Sequence, residues 1–314
     1  MLLDALLLLL SAAMLYFGAE WLVRGAAGLA VTLGVPTLVV GLTVVAIGTS
    51  APELVVSLFA AVEGRTTLAL GNIIGSNAAN IGLILGLSAL IAPPLTDGSM
   101  GRRELLVLLG ATLAPVLMLL DGTIGRLDGV VLLVGAAWFL RATVRWSRAR
   151  DPEPPSVQNP GAKGRRDRAV LALLLVAGLA VLLAGGKVFV DAAVRLALML
   201  GISERVVGLT VVAIGTSLPE LAAALVAALR GHSDLCIGNV VGSNILNMLL
   251  VLGATAAVHP VGGSLRELGA DMGVMGALTL LGFVSLCRKR RLTRAEGALW
   301  VGIYVTFLAS LAAF

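Results

Sequence analysis

Apolar residues fall in ten long runs, near 4–30, 37–62, 68–92, 103–120, 126–146, 168–198, 205–229, 236–258, 267–287 and 294–313, separated by short polar stretches. Each run is long enough, or nearly so, to cross a bilayer core of about 30 Å as a helix. The first is read as a retained span, because Asp4 stands where the basic flank of a cleaved leader belongs. Between the fifth and sixth runs, residues 147–167 are rich in Pro, Gly and charge, the signature of a solvated linker. The linker divides the chain into 1–146 and 168–314.

The two halves repeat one another. Residues 41–54 read GLTVVAIGTSAPEL and residues 208–221 read GLTVVAIGTSLPEL, identical at 13 of 14 positions. The same offset of 167 brings GNIIGSNAANIGLILG (71–86) onto GNVVGSNILNMLLVLG (238–253), so the repeated segments are 41–86 and 208–253. Five spans per half is an odd number, and the second half must therefore enter the membrane from the opposite side. The expected fold is all-α and polytopic: ten transmembrane helices in two inverted-topology repeats of five helices.

Composition agrees with this pattern. Hydrophobic residues make up 58% of the chain and charged residues 13%, where a soluble domain carries about 25% charge. The net charge of +5 suggests a nucleic-acid partner until the basic residues are placed along the thread. With the N-terminus outside, 16 fall in or beside cytoplasmic loops and only Arg65, Arg126, Arg205 and Arg266 fall outside. The basic excess is thus a topology signal. It predicts a multi-pass protein of the plasma (inner) membrane with a cytoplasmic linker, in contact with lipid and not with nucleic acid. Cys236 and Cys287 are too few for a disulfide framework and read as packing residues. His232 and His259 stand singly, which argues against a histidine metal site. Glu20 and Arg24 are four apart, as are Lys187 and Asp191 at the matching positions with charges reversed; each is expected to pair within its own helix.

The chemistry lies in the repeated motif. Each copy buries one carboxylate, Glu53 or Glu220, in an apolar run with no Lys or Arg in either motif. A carboxylate at the bilayer centre costs roughly 2.5–3.5 kcal/mol on insertion scales, and a bound cation would supply the missing charge. Pro52 and Pro219 remove a backbone donor and weaken the helix there, so carbonyls around Ala46, Thr49, Ala213 and Thr216 can face a cavity. Hydroxyls of Thr49, Ser50, Thr216 and Ser217 add neutral oxygens, and the second motif adds Ser76, Asn77 and Asn80 with their mates Ser243, Asn244 and Asn247. Ser76 and Asn80 share one helix face, as do Ser243 and Asn247, and the motif glycines permit close helix approach. A set made only of hard oxygens suits Ca²⁺ or Na⁺ and not zinc or copper. A lone small-residue spacing would signify only packing, and a single buried Glu could be protonated and structural. Duplication of both motifs at one constant offset sets this chain apart from either.

GTSAPE/GTSLPE with GNIIGSNAAN/GNVVGSNILN resembles the paired repeats of the sodium/calcium exchanger family, within the cation/calcium exchanger superfamily, over both halves. Without a long cytosolic loop the chain resembles a compact prokaryotic member. The resemblance implies antiport of Ca²⁺ against Na⁺ by alternating access at one central site, with no catalytic activity and no cofactor. It further implies Ca²⁺ ligation by Glu53 and Glu220 with the carbonyls of Thr49 and Thr216. Sodium sites would use Ser50, Ser76, Ala46 and Asn80, and Ser217, Ser243, Ala213 and Asn247. Some members carry Asp where this chain has Asn247, as the resemblance implies for the potassium-dependent branch, which leaves two formal charges here. One copy of the chain carries the whole duplicated site, so a monomer suffices for transport. A proton/calcium antiporter of the same superfamily is the nearer alternative, disfavoured by the Asn and Ser positions. An intramembrane metal-dependent hydrolase is a distant one, since it calls for a further His or Asp ligand.

Overall fold

A computed structural model describes residues 1–96, 100–150, 165–201, 213–263, 265–288 and 291–313. Most of the linker and residues 205–212 of the seventh run lie outside these. The elements are α1 (Leu2–Leu33), α2 (Thr37–Thr49), α3 (Ala51–Val62), α4 (Thr66–Ile91), α5 (Arg102–Met118), β1 (Thr123–Ile124) and α6 (Arg126–Arg150). They continue as α7 (Arg165–Met199), α8 (Ala213–Thr216), α9 (Leu218–Leu229), α10 (Ser233–Val258), β2 (Val261–Gly262), α11 (Leu265–Cys287) and α12 (Arg294–Ala313). Each of the ten predicted runs is helical in its described part. Seven described helices are long and apolar enough to cross a membrane on their own, and α2 with α3, bent by 44° at Ser50, makes an eighth. The protein is an all-helical polytopic membrane protein apart from one two-residue strand pair, β1 with β2.

Local sequence explains where the helices stop. Gly34 (φ 66°) and its repeat mate Gly201 (φ 80°) take the left-handed conformation that ends α1 and α7, and Gly64 (φ 77°) and Gly231 (φ 78°) do so just past α3 and α9. A side chain at any of these four would strain the backbone.

α1 and α7, at 32 and 35 residues, are about 48 and 52 Å long at 1.5 Å per residue, so both cross the bilayer tilted. They lie antiparallel against one another, Gly18 against Leu182 and Gly25 against Leu175, at backbone contact. A Cβ on Gly178 would stand 2.4 Å from the Leu22 amide nitrogen. Small residues of this kind let membrane helices approach where no hydrophobic drive exists between them. The motif helices α4 and α10 are buried along most of their length and form the centre. Of the four motif glycines expected to let helices approach, Gly238 and Gly242 of α10 meet Leu38 and Leu42 of α2 at similarly close range, whereas a Cβ on Gly71 or Gly75 of α4 would meet nothing within 4 Å.

Contacts between loops follow the order of the thread. The α5–α6 connection pairs with the α10–α11 connection through β1 and β2, and Thr66 Oγ1 donates to Gly262 O at 3.0 Å. A second group joins Leu95 with Arg291, Leu95 N with Ser233 Oγ (3.0 Å) and Arg168 Nη2 with Thr32 O (3.1 Å). Alternate crossing would place the members of each group on one common face.

Three expectations fail. Glu20 does not pair with Arg24; its carboxylate accepts from Arg230 Nε at 2.8 Å, because α1 lies against α9 and brings a guanidinium within reach. Lys187 and Asp191 form no ion pair with each other among the described residues. Cys236 is buried in the core, but Cys287 is exposed at the end of α11 and is no packing residue.

Candidate functional site

The site forms where α2–α3 and α8–α9, each broken at a serine, meet the central helices α4 and α10. Pro52 and Pro219 occupy the first turn after each break and offer no N–H to the carbonyls of Gly48 and Gly215 four residues earlier. Ser50 (φ −81°, ψ 6°) and Ser217 (φ −91°, ψ 7°) sit at the breaks in the same non-helical conformation. Glu53 and Glu220 follow in the first turns of α3 and α9, where the aligned N–H groups of a helix N-terminus favour negative charge. Both carboxylates are 1% exposed.

Each glutamate is held from the opposite half. Ser50 Oγ donates to Glu220 Oε1 at 3.2 Å, and Ser217 Oγ donates to Glu53 Oε1 at 3.3 Å. Ser76 Oγ adds a longer contact to Glu53 Oε1 at 3.5 Å. The two motifs therefore interlock about a common point, and no cationic side chain among the described residues pairs with either carboxylate. Glu53 Oε2 and Glu220 Oε2 have no hydrogen-bond partner, nor do Asn80 Oδ1, Ser243 Oγ, Asn244 Oδ1 and Asn247 Oδ1, all buried. Buried polar atoms are almost always satisfied. Six orphaned oxygens and two unneutralised carboxylates in one region fit a cation, and every orphaned atom here is a hard oxygen of the type Ca²⁺ and Na⁺ take.

The remaining expected residues fall around this point. Thr49 is fully buried; its hydroxyl donates to Asn239 Oδ1 at 3.3 Å, and both the hydroxyl oxygen and the Thr49 carbonyl carry lone pairs a cation can use. Ala46 is fully buried, and its carbonyl accepts the Ser50 N–H at 3.0 Å with one lone pair to spare. Ala213 and Thr216 form α8, the counterpart of the Ala46–Thr49 turn. The helix widens to π geometry at Asn80–Leu85, at Asn247–Val251 and at Gly41–Val45. Such widened turns recur at functional sites, and no residue pattern announced them here.

Sequence reasoning passed over Asn72 and Asn239. Asn72 Nδ2 donates to the Glu53 carbonyl (3.4 Å) and to Ser57 Oγ (2.9 Å), and Asn239 Nδ2 donates to the Glu220 carbonyl (3.4 Å). They tie each broken helix to the central helix of its own half. Their repetition in both GN dipeptides was the available signal. Asn77 and Asn244, by contrast, bond each other's backbone: Asn77 Nδ2 to Asn244 O at 3.1 Å and Asn244 Nδ2 to Asn77 O at 3.3 Å. This reciprocal pair fastens α4 to α10 directly beside the glutamates.

With this geometry in view, the family can be settled. The profile of the family described as sodium/calcium exchanger protein matches residues 3–144 and 170–312, both halves of the chain. The chain belongs to the sodium/calcium exchanger protein family. Among the exchanger's relatives is a putative antiporter, CaxA of Alkalimonas amylolytica, 38% identical over 312 residues with 98% of each chain covered. Another is the sodium/calcium exchanger MaX1 of Methanosarcina acetivorans, 31% identical over 341 residues, covering 98% of this chain and 97% of that one. A solved structure of the sodium-calcium exchanger NCX_Mj matches with a TM-score of 0.86 at 34% identity, over 99% of both chains. Family membership carries cation/calcium exchange and a multi-pass membrane setting to this exchanger.

Proposed function

We propose that this exchanger moves Ca²⁺ against Na⁺ by alternating access at a single midplane site built around Glu53 and Glu220. The observation that carries the reading is the pair of buried carboxylates, each bonded only by hydroxyls and each keeping one oxygen without a partner. One Ca²⁺ neutralises both. Ca²⁺ and a full sodium load therefore compete, and coordination passes through Glu53 Oε2, Glu220 Oε2 and the carbonyls of Thr49 and Thr216. Sodium uses Ser50, Ser76, Ala46 and Asn80 with Ser217, Ser243, Ala213 and Asn247. If more than two Na⁺ replace one Ca²⁺, each cycle moves charge and senses voltage at about 2.3 kcal/mol per charge per 100 mV.

The organisation that goes with this function is two inverted repeats, 1–146 and 168–314, joined by a cytoplasmic linker, with the N-terminus outside. The repetition of helix ends, breaks and widened turns at the sequence offset of 167 supports it, as does the grouping of loop contacts. Inverted repeats supply outward- and inward-open arrangements of one structure. α1 and α7 contain none of the proposed ligands and are the proposed movers.

The test is Ca²⁺ flux driven by a Na⁺ gradient into liposomes at clamped pH. Glu53→Gln and Glu220→Gln each remove one of the two neutralising charges and should lower flux to that of protein-free vesicles. Both should still fold, since a buried amide costs less than an unpaired carboxylate. Near-wild-type flux in either variant would place the site elsewhere, and flux that follows a proton gradient but ignores Na⁺ would favour the proton-coupled antiporter.

A further inference from the structure

At the repeat offset four pairs of charged positions reverse sign, while Glu53/Glu220 and Glu104/Asp271 keep theirs, and three of the four reversals lie on α1, α7 and the ends of α3 and α9. Glu20 falls on Lys187, Arg24 on Asp191 and Glu63 on Arg230. In the structure Glu20 and Arg230 form an ion pair at 2.8 Å that joins α1 to the end of α9. Inversion maps this pair onto Lys187 of α7 and Glu63 at the end of α3. Both signs have changed, yet the pair remains complementary. Random drift of surface charge gives no reason for two positions 210 residues apart in sequence to be mirrored by another complementary pair.

The mirrored pair is not formed here. Glu63 is bonded to Arg65, two residues along, and among the ion pairs of the described residues none joins it to Lys187. The packing is unequal in the same sense: α1 lies against α9, while α7 has no comparable contact with α3. The molecule is thus caught with one of two related contacts closed.

We propose that Glu20–Arg230 and Lys187–Glu63 are alternating latches, each closed only when the cavity is shut on its own side of the membrane. This rests on the alternating-access reading above. The sign reversal then has a physical cause. Positive-inside bias favours a basic residue at the cytoplasmic end of α9 and imposes none at the outer end of α3, so an attractive latch on each side needs partners of opposite sign on α1 and α7. The closed latch is suitably weak: Arg230 is 52% and Glu20 26% exposed in their side chains, and exposed ion pairs stabilise little. A strong latch would hold one state and stop the cycle. Asp4, bonded to Arg195 Nε at 2.8 Å, ties α1 to α7 and lets them move as one body, so that opening one latch closes the other. These four residues touch no proposed ligand of the cation and act as positioning residues.

The test uses the full chain in liposomes with the exposed Cys287 replaced by Ser. Cysteines at Glu20 and Arg230, and at Glu63 and Lys187, are bridged with a short bis-maleimide, which adds one thiol to each of its two rings. In the four-cysteine chain, mass spectrometry should find one bridge or the other in each molecule. Both bridges together in one molecule, or a Glu63–Lys187 pair that never reacts, would overturn the proposal. In separate chains Arg230→Gln and Lys187→Gln should shift the ratio of external to internal Ca²⁺ half-saturation in opposite directions by about two- to fivefold, the shift an exposed pair supports. Glu20→Lys with Arg230→Glu should restore the wild-type ratio. Equal shifts in one direction, or no restoration, would count against the latches. Glu53→Gln in the same vesicles separates the two ideas: flux in that variant sinks the two-glutamate site whatever the bridges do, and double bridging with Glu53→Gln inactive sinks the latches alone.

Discussion

Asn247 donates through Nδ2 to Asn77 Oδ1 at 3.1 Å, and its own Oδ1 is buried without a partner. Its repeat mate Asn80 likewise keeps a free, buried Oδ1. Both positions can complete a cation site, but as neutral dipoles. A unit charge 4 Å from a cation is worth about 4 kcal/mol at an effective dielectric of 20, and an amide much less. Next to Ca²⁺ and two carboxylates there is little electrostatic reason to hold an additional monovalent cation. Exchange should therefore proceed without K⁺, and Asn247→Asp should at most introduce sensitivity to K⁺ or pH. The measurement is Na⁺-driven Ca²⁺ flux with choline replacing K⁺ on both sides; flux that vanishes in choline and returns with K⁺ would refute the argument. At this scale the candidate ligands were legible from residue type and duplication. The use to which each polar atom is put was not. The Thr49 hydroxyl serves Asn239, and Asn72 holds the Glu53 carbonyl, because these bonds join segments distant in sequence.

Among the elements, the α1–α7 pair depends on backbone contact through glycine. A Cβ at Gly178 would meet the Leu22 nitrogen at 2.4 Å and the Gly18 carbonyl at 2.8 Å, both backbone atoms that cannot swing aside. Gly178→Ala should lower the thermal midpoint in detergent, with a cost on the overpacking scale of about 1–3 kcal/mol. Gly110→Ala is the control: its Cβ meets nothing within 4 Å, and alanine favours the helix, so the midpoint should hold or rise. An unchanged midpoint in Gly178→Ala would mean that α1 and α7 part without cost. The runs of apolar residues announced these helices and their ends. They gave no sign of π turns at the motif asparagines, since a widened turn keeps the same residues and the same hydrophobicity.

For the whole molecule, ten alternating crossings require the linker and the α10–α11 connection to lie on opposite sides. Cysteines introduced at Ser156 and at Gly263 should react with an impermeant reagent from opposite sides, the first from the cytoplasm. Labelling from one side would dismantle the ten-span arrangement with its N-terminus outside. The loop contacts bear on the same question, because Gly263 N donates to Gly122 O at 3.3 Å beside the β1–β2 pair and so shares a face with the α5–α6 connection.

The sequence by itself determined the membrane class and the helical runs, and it displayed the duplicated motifs from which the candidate residues were drawn. Hydrophobic length is a local quantity that bilayer thickness converts directly into helices, and repetition at one offset needs no structure to be seen. Only the tertiary structure decided which half serves which glutamate. Ser50 bonds Glu220 and Ser217 bonds Glu53, so neither repeat completes its own site. It also decided that Glu20 meets Arg230 and not Arg24. A spacing of four along a helix permits a pair, but the partner is set by which helix packs alongside, and that depends on close contacts between backbones that no local pattern records.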